Sequence, residues 1–281
     1  MRRTALAVVG RSQVSFLVLA QWISTLRAVH WPGPTFLMPE IYAAGAWIGV
    51  VPLRNLVTWN ALRRHEEWDS LLWIDADHMV SSGLPERIEE TGHLPIVCGP
   101  YFGREWPFEI QAFDRAGPEA GPNGVRPIDA KRLVPLLQSA RPALLEVAGG
   151  GTGCMLVRKD VLVRMAARRG AADVWRADRI PWDQQLALIE SGQSVSGVCT
   201  EDILFCLDVR EQLGEITYLD LDPRMETGHV GEEPRDRRHY LAAHTVPAGV
   251  EVDQEALARQ GYQLAALNRR DRRIATGKGP R

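Results

Sequence analysis

Leu71-Leu72-Trp73-Ile74-Asp75-Ala76-Asp77-His78-Met79-Val80 is the stretch on which the fold of this chain turns. Four apolar residues in a row, with no charge among them, predict a strand buried on both faces. The run breaks at Asp75-Ala76-Asp77, where alternation puts two carboxylates on the same side as a buried strand ends. Two such anions repel and resist desolvation unless positive charge stands between them. A divalent cation answers that need, because Mg2+ and Mn2+ take oxygen ligands, often one or two carboxylates with the phosphates of a substrate. An exposed Asp-rich turn after the strand accounts for the same residues without a metal.

Outward from this stretch, strand and helix signals alternate. A strand at Thr4–Val9 leads through Gly10-Arg11-Ser12-Gln13 into a helix from about Val14 to Val29, and a strand is expected at Thr35–Met38. A helix over Pro52–Glu67 follows, with Leu53, Leu56, Val57, Asn60, Ala61 and Arg64 spaced three to four apart. After the strand Ser70–Ile74 come a helical stretch at Pro85–Glu90 and a strand at Leu94–Gly99. This βαβαβ order predicts an α/β fold with a mostly parallel central sheet flanked by helices. Ligands of such sheets bind beyond the carboxyl ends of the strands, where both Gly10-Arg11-Ser12 and Asp75-Ala76-Asp77 fall.

Residues Gly103 to Pro142 are rich in Gly, Pro and charge and predict short strands and loops. From Glu146 the pattern sharpens. Gly149-Gly150-Gly151-Thr152-Gly153 precedes an apolar strand at Cys154–Val157 and a helix from Lys159 to about Arg168. Thr200 is a candidate N-cap for a helix running to Leu213, Glu201 and Asp202 suit its first turn, and Gly214 suits its C-cap. A strand at Ile216–Leu221 and the loop Glu226–Gly231 follow, and the last residues form a charged, basic end with no internal repeat anywhere in the chain.

The 281 residues are 45% hydrophobic, enough to bury the core of one large domain or two small ones. A formal net charge of -2 and a pI near 6.4 do not suggest a general nucleic-acid or membrane binder. The four cysteines (Cys98, Cys154, Cys199 and Cys206) are scattered in apolar settings without the paired spacing of a zinc site. Arg2-Arg3 before apolar residues resembles the start of a secretory signal, but Arg11, Ser12 and Gln13 interrupt the apolar run. No stretch reaches the roughly 18–20 apolar residues of a membrane span. The expectation is a soluble, cytoplasmic chain with reduced thiols.

Taken singly, the Asp75/Asp77 pair, the Gly149–Gly153 run, the Glu201-Asp202 pair and His229 each have an ordinary structural explanation: turn, flexible loop, helix cap, surface histidine. The glycine run also lacks the Lys-Ser/Thr ending of a P-loop. In their order and spacing, over about residues 4 to 231, they resemble glycosyltransferases of the nucleotide-diphospho-sugar-transferase (GT-A) fold, family 2-like and including small bacterial and phage members. Pro52-Leu53-Arg54-Asn55 is similar to the Ala-Arg-Asn helix start, and Trp73-Ile74-Asp75-Ala76-Asp77 to the Asp-x-Asp strand end. Ile96–Phe102 is similar to the following strand and loop, and Gly151–Arg158 to the acceptor-side loop and strand. Thr200–Cys206 is similar to the Glu-Asp helix, and Thr227–Gly231 to the closing His motif.

The resemblance implies a GT-A domain over residues 1–235, with a nucleotide-binding half at 1–102 and an acceptor half at 103–235. Residues 236–281 would be a charged C-terminal extension. It implies Mn2+ or Mg2+ held directly by Asp77, by Asp75 through water, and by a neutral His229. The donor would be a nucleoside-diphosphate sugar, UDP- or GDP-linked. Arg11 and Arg54 would contact nucleotide or phosphate, since a guanidinium suits phosphate geometry. Alternatively Asp75 would hold the ribose, and Gly151-Thr152-Gly153 would let the backbone approach the donor sugar or acceptor. Asp202 would deprotonate the acceptor hydroxyl, Glu201 would orient sugar or acceptor hydroxyls, and a single displacement would invert configuration.

A retaining transferase of the same fold, a non-catalytic binding protein and a nucleotidyltransferase are the competing readings. The last lacks its Lys-containing nucleotide loop near the first strand. The acceptor stays open between glycan, lipid, protein and a modified DNA base, the basic tail after Asn268 being suited to phosphate contacts in the last case. Trp106, Trp175 and Trp182 could form a stacking platform for a sugar or base, with ordinary core packing as the plainer role.

Overall fold

The structure is a computed structural model. It describes residues 3–10, 35–39, 42–43, 46–47, 50–75, 78–102, 109–116, 124–139, 141, 143–176, 200–229 and 240–241. The expected helix at 14–29 lies outside the described residues, as do Arg11, Asp77, Trp106, Cys199, Trp182 and the basic end. His229 is described for its backbone alone.

In chain order, β1 (Thr4–Gly10) and β2 (Thr35–Pro39) are followed by the short strands β3 (Tyr42–Ala43) and β4 (Ala46–Trp47). Helix α1 (Val50–Arg63) leads to β5 (Ser70–Asp75) and β6 (His78–Val80), then α2 (Leu84–Thr91) and β7 (Ile96–Cys98). The middle of the chain forms β8 (Ala112–Arg115), β9 (Val125–Pro127) and α3 (Ala130–Gln138). Strands β10 (Leu144–Val147) and β11 (Gly149–Gly150) precede a 3-10 turn at Thr152–Cys154, β12 (Met155–Arg158) and α4 (Lys159–Arg169). Helix α5 (Glu201–Leu213), β13 (Thr217–Asp220) and β14 (Thr227–His229) complete the described elements.

The seven-stranded sheet has the order β10-β13-β7-β12-β5-β1-β2. Strands β1, β2, β5, β7 and β13 run one way, while β10 and β12 run the other. The mixed α/β architecture and the dominant strand direction match the sequence expectation. The place of β12 does not follow from the βαβαβ order, which would set β5 and β7 side by side. Met155, Leu156 and Val157 are buried and pair with β5 on one side and β7 on the other. An apolar strand with two available edges gains a full set of ladder hydrogen bonds and buries both faces there.

Strand β5 is covered on both faces, as its apolar run predicts. Leu71 and Trp73 join Leu53, Val57 and Ala61 of α1, Val161 and Met165 of α4, and Phe205 and Val209 of α5. Leu72 and Ile74 face the opposite side with Leu6, Val8, Val97, Leu156, and Leu84 and Ile88 of α2. Helix α1 begins at Val50, with Pro52 in its first turn, where no intrahelical donor is lost. Leu56 departs from the expected apolar stripe: it is exposed on the outer side of α1 with Trp59. The cysteines in the described residues, Cys98, Cys154 and Cys206, are free and buried, and burial pushes the Cys154 thiol up to about 12. Among the described residues no helix is long and apolar enough to cross a membrane.

A smaller antiparallel sheet, β11-β8-β9, and α3 pack over the β10-β13 edge through Ile110, Leu133, Leu137, Val147 and Leu219. Tyr240 is fully buried in the same cluster, its ring 5.5 Å from that of Phe102. Strand β14 pairs with β6 rather than with the main sheet. The chain leading into β14 is held by Arg87 of α2, which donates Nε to Asp220 Oδ2 at 2.7 Å and Nη2 to Asp220 Oδ1 at 3.0 Å. Arg224 adds a bond to Asp222 Oδ2 at 2.7 Å and a pair to Glu90 at 2.8 and 2.9 Å.

Candidate active site

Asp75 is the last residue of β5, and its side chain is 28% exposed where the strand leaves the core. Leu53 and Val57 bury one side of α1 under the sheet, and this packing carries Arg54 inward to the same strand end. The Arg54 side chain is 3% exposed. Its Nη2 donates to Asp75 Oδ1 at 3.4 Å and to the Thr152 hydroxyl. Its Nη1 lies 2.5 Å from Glu201 Oε1, a close charge contact rather than an aligned hydrogen bond. The guanidinium also sits 5.4 Å from the centroid of the Trp175 ring, within cation–π range.

Glu201 and Asp202 occupy the first turn of α5, where negative charge complements the helix dipole. Thr200 stands at the N-cap but makes no side-chain cap bond, contrary to expectation. Its hydroxyl donates instead to Asp202 Oδ1, which also accepts the Ile203 amide at 2.9 Å. Asp202 thereby satisfies an open N–H of the first turn in place of Thr200. Asp202 Oδ2 accepts the Thr152 amide at 3.1 Å, tying α5 to the glycine-rich turn. Gly214 closes α5 in the left-handed conformation (φ 71°), as its sequence position predicts.

The glycine-rich turn packs against two rings that sequence reasoning left without a role. A Cβ at Gly151 would stand 2.4 Å from Tyr101 Cδ1, and one at Gly153 would stand 2.8 Å from His78 Nε2. The close approach these glycines permit is therefore to Tyr101 and His78, whose rings meet edge to face at 5.1 Å. The β14–β6 register sets His229 directly across from His78. Opposed antiparallel residues have Cα atoms about 4.5–5.5 Å apart. The backbone of His229 thus comes beside β6, the strand that follows β5 in the chain, although they are far apart in sequence.

Burial opposes the charge on Arg54, but Glu201, Asp75, Asp202 and Tyr101 outweigh it and hold the guanidinium above its ordinary pKa. Glu201 is raised: burial disfavours its charge, Arg54 favours it, and Asp202 and Asp75 add repulsion. The site therefore joins Arg54, Asp75, Thr152, Glu201 and Asp202 in one connected group. It places Gly151 and Gly153 at its wall, and the His229 backbone pairs with His78 of β6, the strand after β5. Among the described residues no group of three or more His, Cys, Asp or Glu side chains is arranged to hold a metal ion, Asp77 and the His229 ring lying outside that set.

Asn55 has a role that the sequence reading did not give it, and Trp175 takes the plainer of its two expected roles, core packing. Asn55 Nδ2 donates to the Trp175 carbonyl at 2.9 Å, and the Trp175 amide donates back to Asn55 Oδ1 at 2.8 Å. Trp175 Nε1 donates to Thr58 Oγ1 at 2.9 Å. The ring stacks on Phe205 at 4.2 Å and meets Trp73 edge-on at 5.1 Å. Trp175 is fully buried, so it serves as core beneath Arg54 and not as a stacking platform for a ligand. The available signal was Asn55 itself, a polar residue on the buried side of a helix that needed a partner.

No protein-family model and no curated protein matches this chain. Among solved structures it is similar to A197 from STIV, with 14% identity and a TM-score of 0.48 over 82% of this chain and 86% of that one. It is also similar to a glycosyltransferase involved in the glycosylation of the major capsid of PBCV-1, with 10% identity and a TM-score of 0.35 over 67% and 76% of the two chains. A third similar structure is GalNAc-T7 with UDP, GalNAc and Mn2+, with 8% identity and a TM-score of 0.38 over 93% of this chain and 55% of that one.

Proposed function

We propose that this chain is a GT-A-type glycosyltransferase that moves a sugar from a nucleoside-diphosphate sugar, UDP- or GDP-linked, to an acceptor hydroxyl. One observation carries the reading. Acids from two distant parts of the chain, Asp75 on one side and Glu201 with Asp202 on the other, meet at the carboxyl end of a buried strand around Arg54 and Thr152. That is where open α/β sheets bind ligands. Of the segments that resemble the family, those carrying Arg54, Asp75, Thr152, Glu201 and Asp202 come together.

We assign the Asp75 end of the site, the donor end of this reading, to a divalent cation, Mn2+ or Mg2+. Asp75 is partly exposed there, and the register brings the His229 backbone beside the strand that follows Asp77. Asp75, Asp77 and His229 would hold the ion, which when bound neutralises charge on the leaving diphosphate.

Asp202 is assigned the acceptor proton. A carboxylate offers about four lone-pair sites. Thr200, Ile203 and Thr152 use three in a fixed geometry, leaving one for the acceptor hydroxyl. The proton passes to Asp202 as the acceptor oxygen bonds to the anomeric carbon, the bond from that carbon to the diphosphate oxygen breaks, and configuration inverts. Glu201, held by Arg54, stands beside it to orient sugar or acceptor hydroxyls.

The test is a thermal-shift screen of UDP-, GDP-, CDP- and TDP-sugars with and without Mn2+. At least one pair should stabilise the chain only when the metal is present, by mass action, and Asp77→Ala should abolish that shift. Absence of metal-linked stabilisation with every donor removes the catalytic reading. Asp202→Asn should keep the donor shift while transfer falls by orders of magnitude.

A further inference from the structure

Arg54 is expected from the sequence to reach a nucleotide phosphate, yet its surroundings suit a different task. Its Nη2 donates to Asp75 and Thr152, and its Nη1 is in charge contact with Glu201 at 2.5 Å, while Nε is buried without a hydrogen-bond acceptor among the described residues. Through Thr152, whose amide binds Asp202, the guanidinium is linked to all three described carboxylates of the site. It is almost wholly buried, with the Trp175 ring beneath it; Asn55 fixes the Trp175 backbone, and Thr58 and Phe205 fix the ring.

We propose that Arg54 is a positioning residue, the resident cation that spaces donor-side Asp75 from acceptor-side Glu201, and that it does not bind substrate phosphate. This deepens the transferase reading and rests on it for the meaning of the two sides. Only an arginine meets the requirement. A planar fork with several donors can face two carboxylates and a hydroxyl at once, whereas an ammonium is a single point charge. Three buried or half-buried acids without a central cation would repel one another, and the cleft would open or take up protons.

The first measurement needs no ligand. Arg54→Met is compared in the native chain and in an Asp75→Asn/Glu201→Gln background by thermal unfolding. Removing the cation from a buried charge cluster should lower the native Tm by about 6–12 °C. The drop should be less than half as large where the acids have been neutralised. An equal drop in both backgrounds overturns the proposal. Arg54→Lys, which keeps the charge, should recover part of the loss, and Arg54→Gln replaces Arg54→Met in the same comparison if the latter does not fold.

The second measurement separates positioning from plain structural support. Mn2+ binding to the nucleotide-free protein, read by electron paramagnetic resonance, should tighten at least about tenfold in Arg54→Gln, because a positive neighbour of Asp75 is gone. UDP affinity at saturating Mn2+ should stay within a few-fold of native. Unchanged Mn2+ affinity with a tenfold loss of UDP affinity would identify a phosphate contact and overturn the proposal. If the native chain binds neither Mn2+ nor any nucleotide, the transferase reading falls, and the unfolding comparison alone decides what Arg54 does.

Discussion

Replacing Asp202 by Asn keeps the shape of the side chain and removes its charge. Oδ1 accepts the Ile203 amide at 2.9 Å and the Thr200 hydroxyl, and Oδ2 accepts the Thr152 amide at 3.1 Å. An amide has one accepting oxygen, so one side must turn its NH2 toward a donor. With the oxygen kept on Ile203, the N–H of buried Thr152 loses its partner. A hydrogen bond to a charged group contributes about 1.5–3 kcal/mol. Loss of a negative charge from the first turn of α5 adds about 0.3–1 kcal/mol. The expected fall in unfolding free energy is about 2–4 kcal/mol. Urea unfolding followed by far-UV circular dichroism measures it, with the slope unchanged and the midpoint lowered. A change within about 0.5 kcal/mol, the range of ordinary surface substitutions, would refute the bonded geometry. Asp202 would then be a free carboxylate, and the tie between α5 and the glycine-rich turn would not exist.

Trp175→Ala should cost about 3–5 kcal/mol in the same assay, as for a buried aromatic; a loss under about 1 kcal/mol would mean that the ring is exposed and available to a ligand. Gly151→Ala should cost about 1–3 kcal/mol by overpacking against Tyr101, and Tyr101→Ala in the same chain should recover part of it. Glu201 carries a pH signature of opposite sign to the acids that salt bridges hold low. Its folded pKa is raised, by burial first and by Asp202 and Asp75 against the pull of Arg54. Its contribution is complete below the unfolded value, about 4.3, and is lost as pH rises through the folded one. The stability of Glu201→Gln relative to the native chain should therefore climb from about pH 4 upward, and a flat difference would contradict it. Asp222, held low by Arg224 hydrogen bonding against its burial, works the other way: its stabilisation is present above its unfolded pKa and lost on acidification. In Arg224→Ala, acid unfolding should therefore lose part of its steepness.

The strand at Ser70–Ile74, its burial on both faces, the helix from Glu201 to Leu213 and the Gly214 cap can all be read from the amino acids alone. Each depends on residues within one or two turns of each other, so apolar period, cap chemistry and backbone freedom suffice. The same local logic points to Asp75, Glu201 and Asp202 as residues out of place in an ordinary core. The chain does not announce where β12 goes, because two strands offered it edges and the choice depends on which distant segment buries most surface. Nor does it announce that Thr200 bonds Asp202, that Trp175 lies under Arg54, or that Gly151 and Gly153 make room for Tyr101 and His78. The partner of a buried charge or ring is whichever group the packed fold brings within a few ångströms, and that is a property of three dimensions.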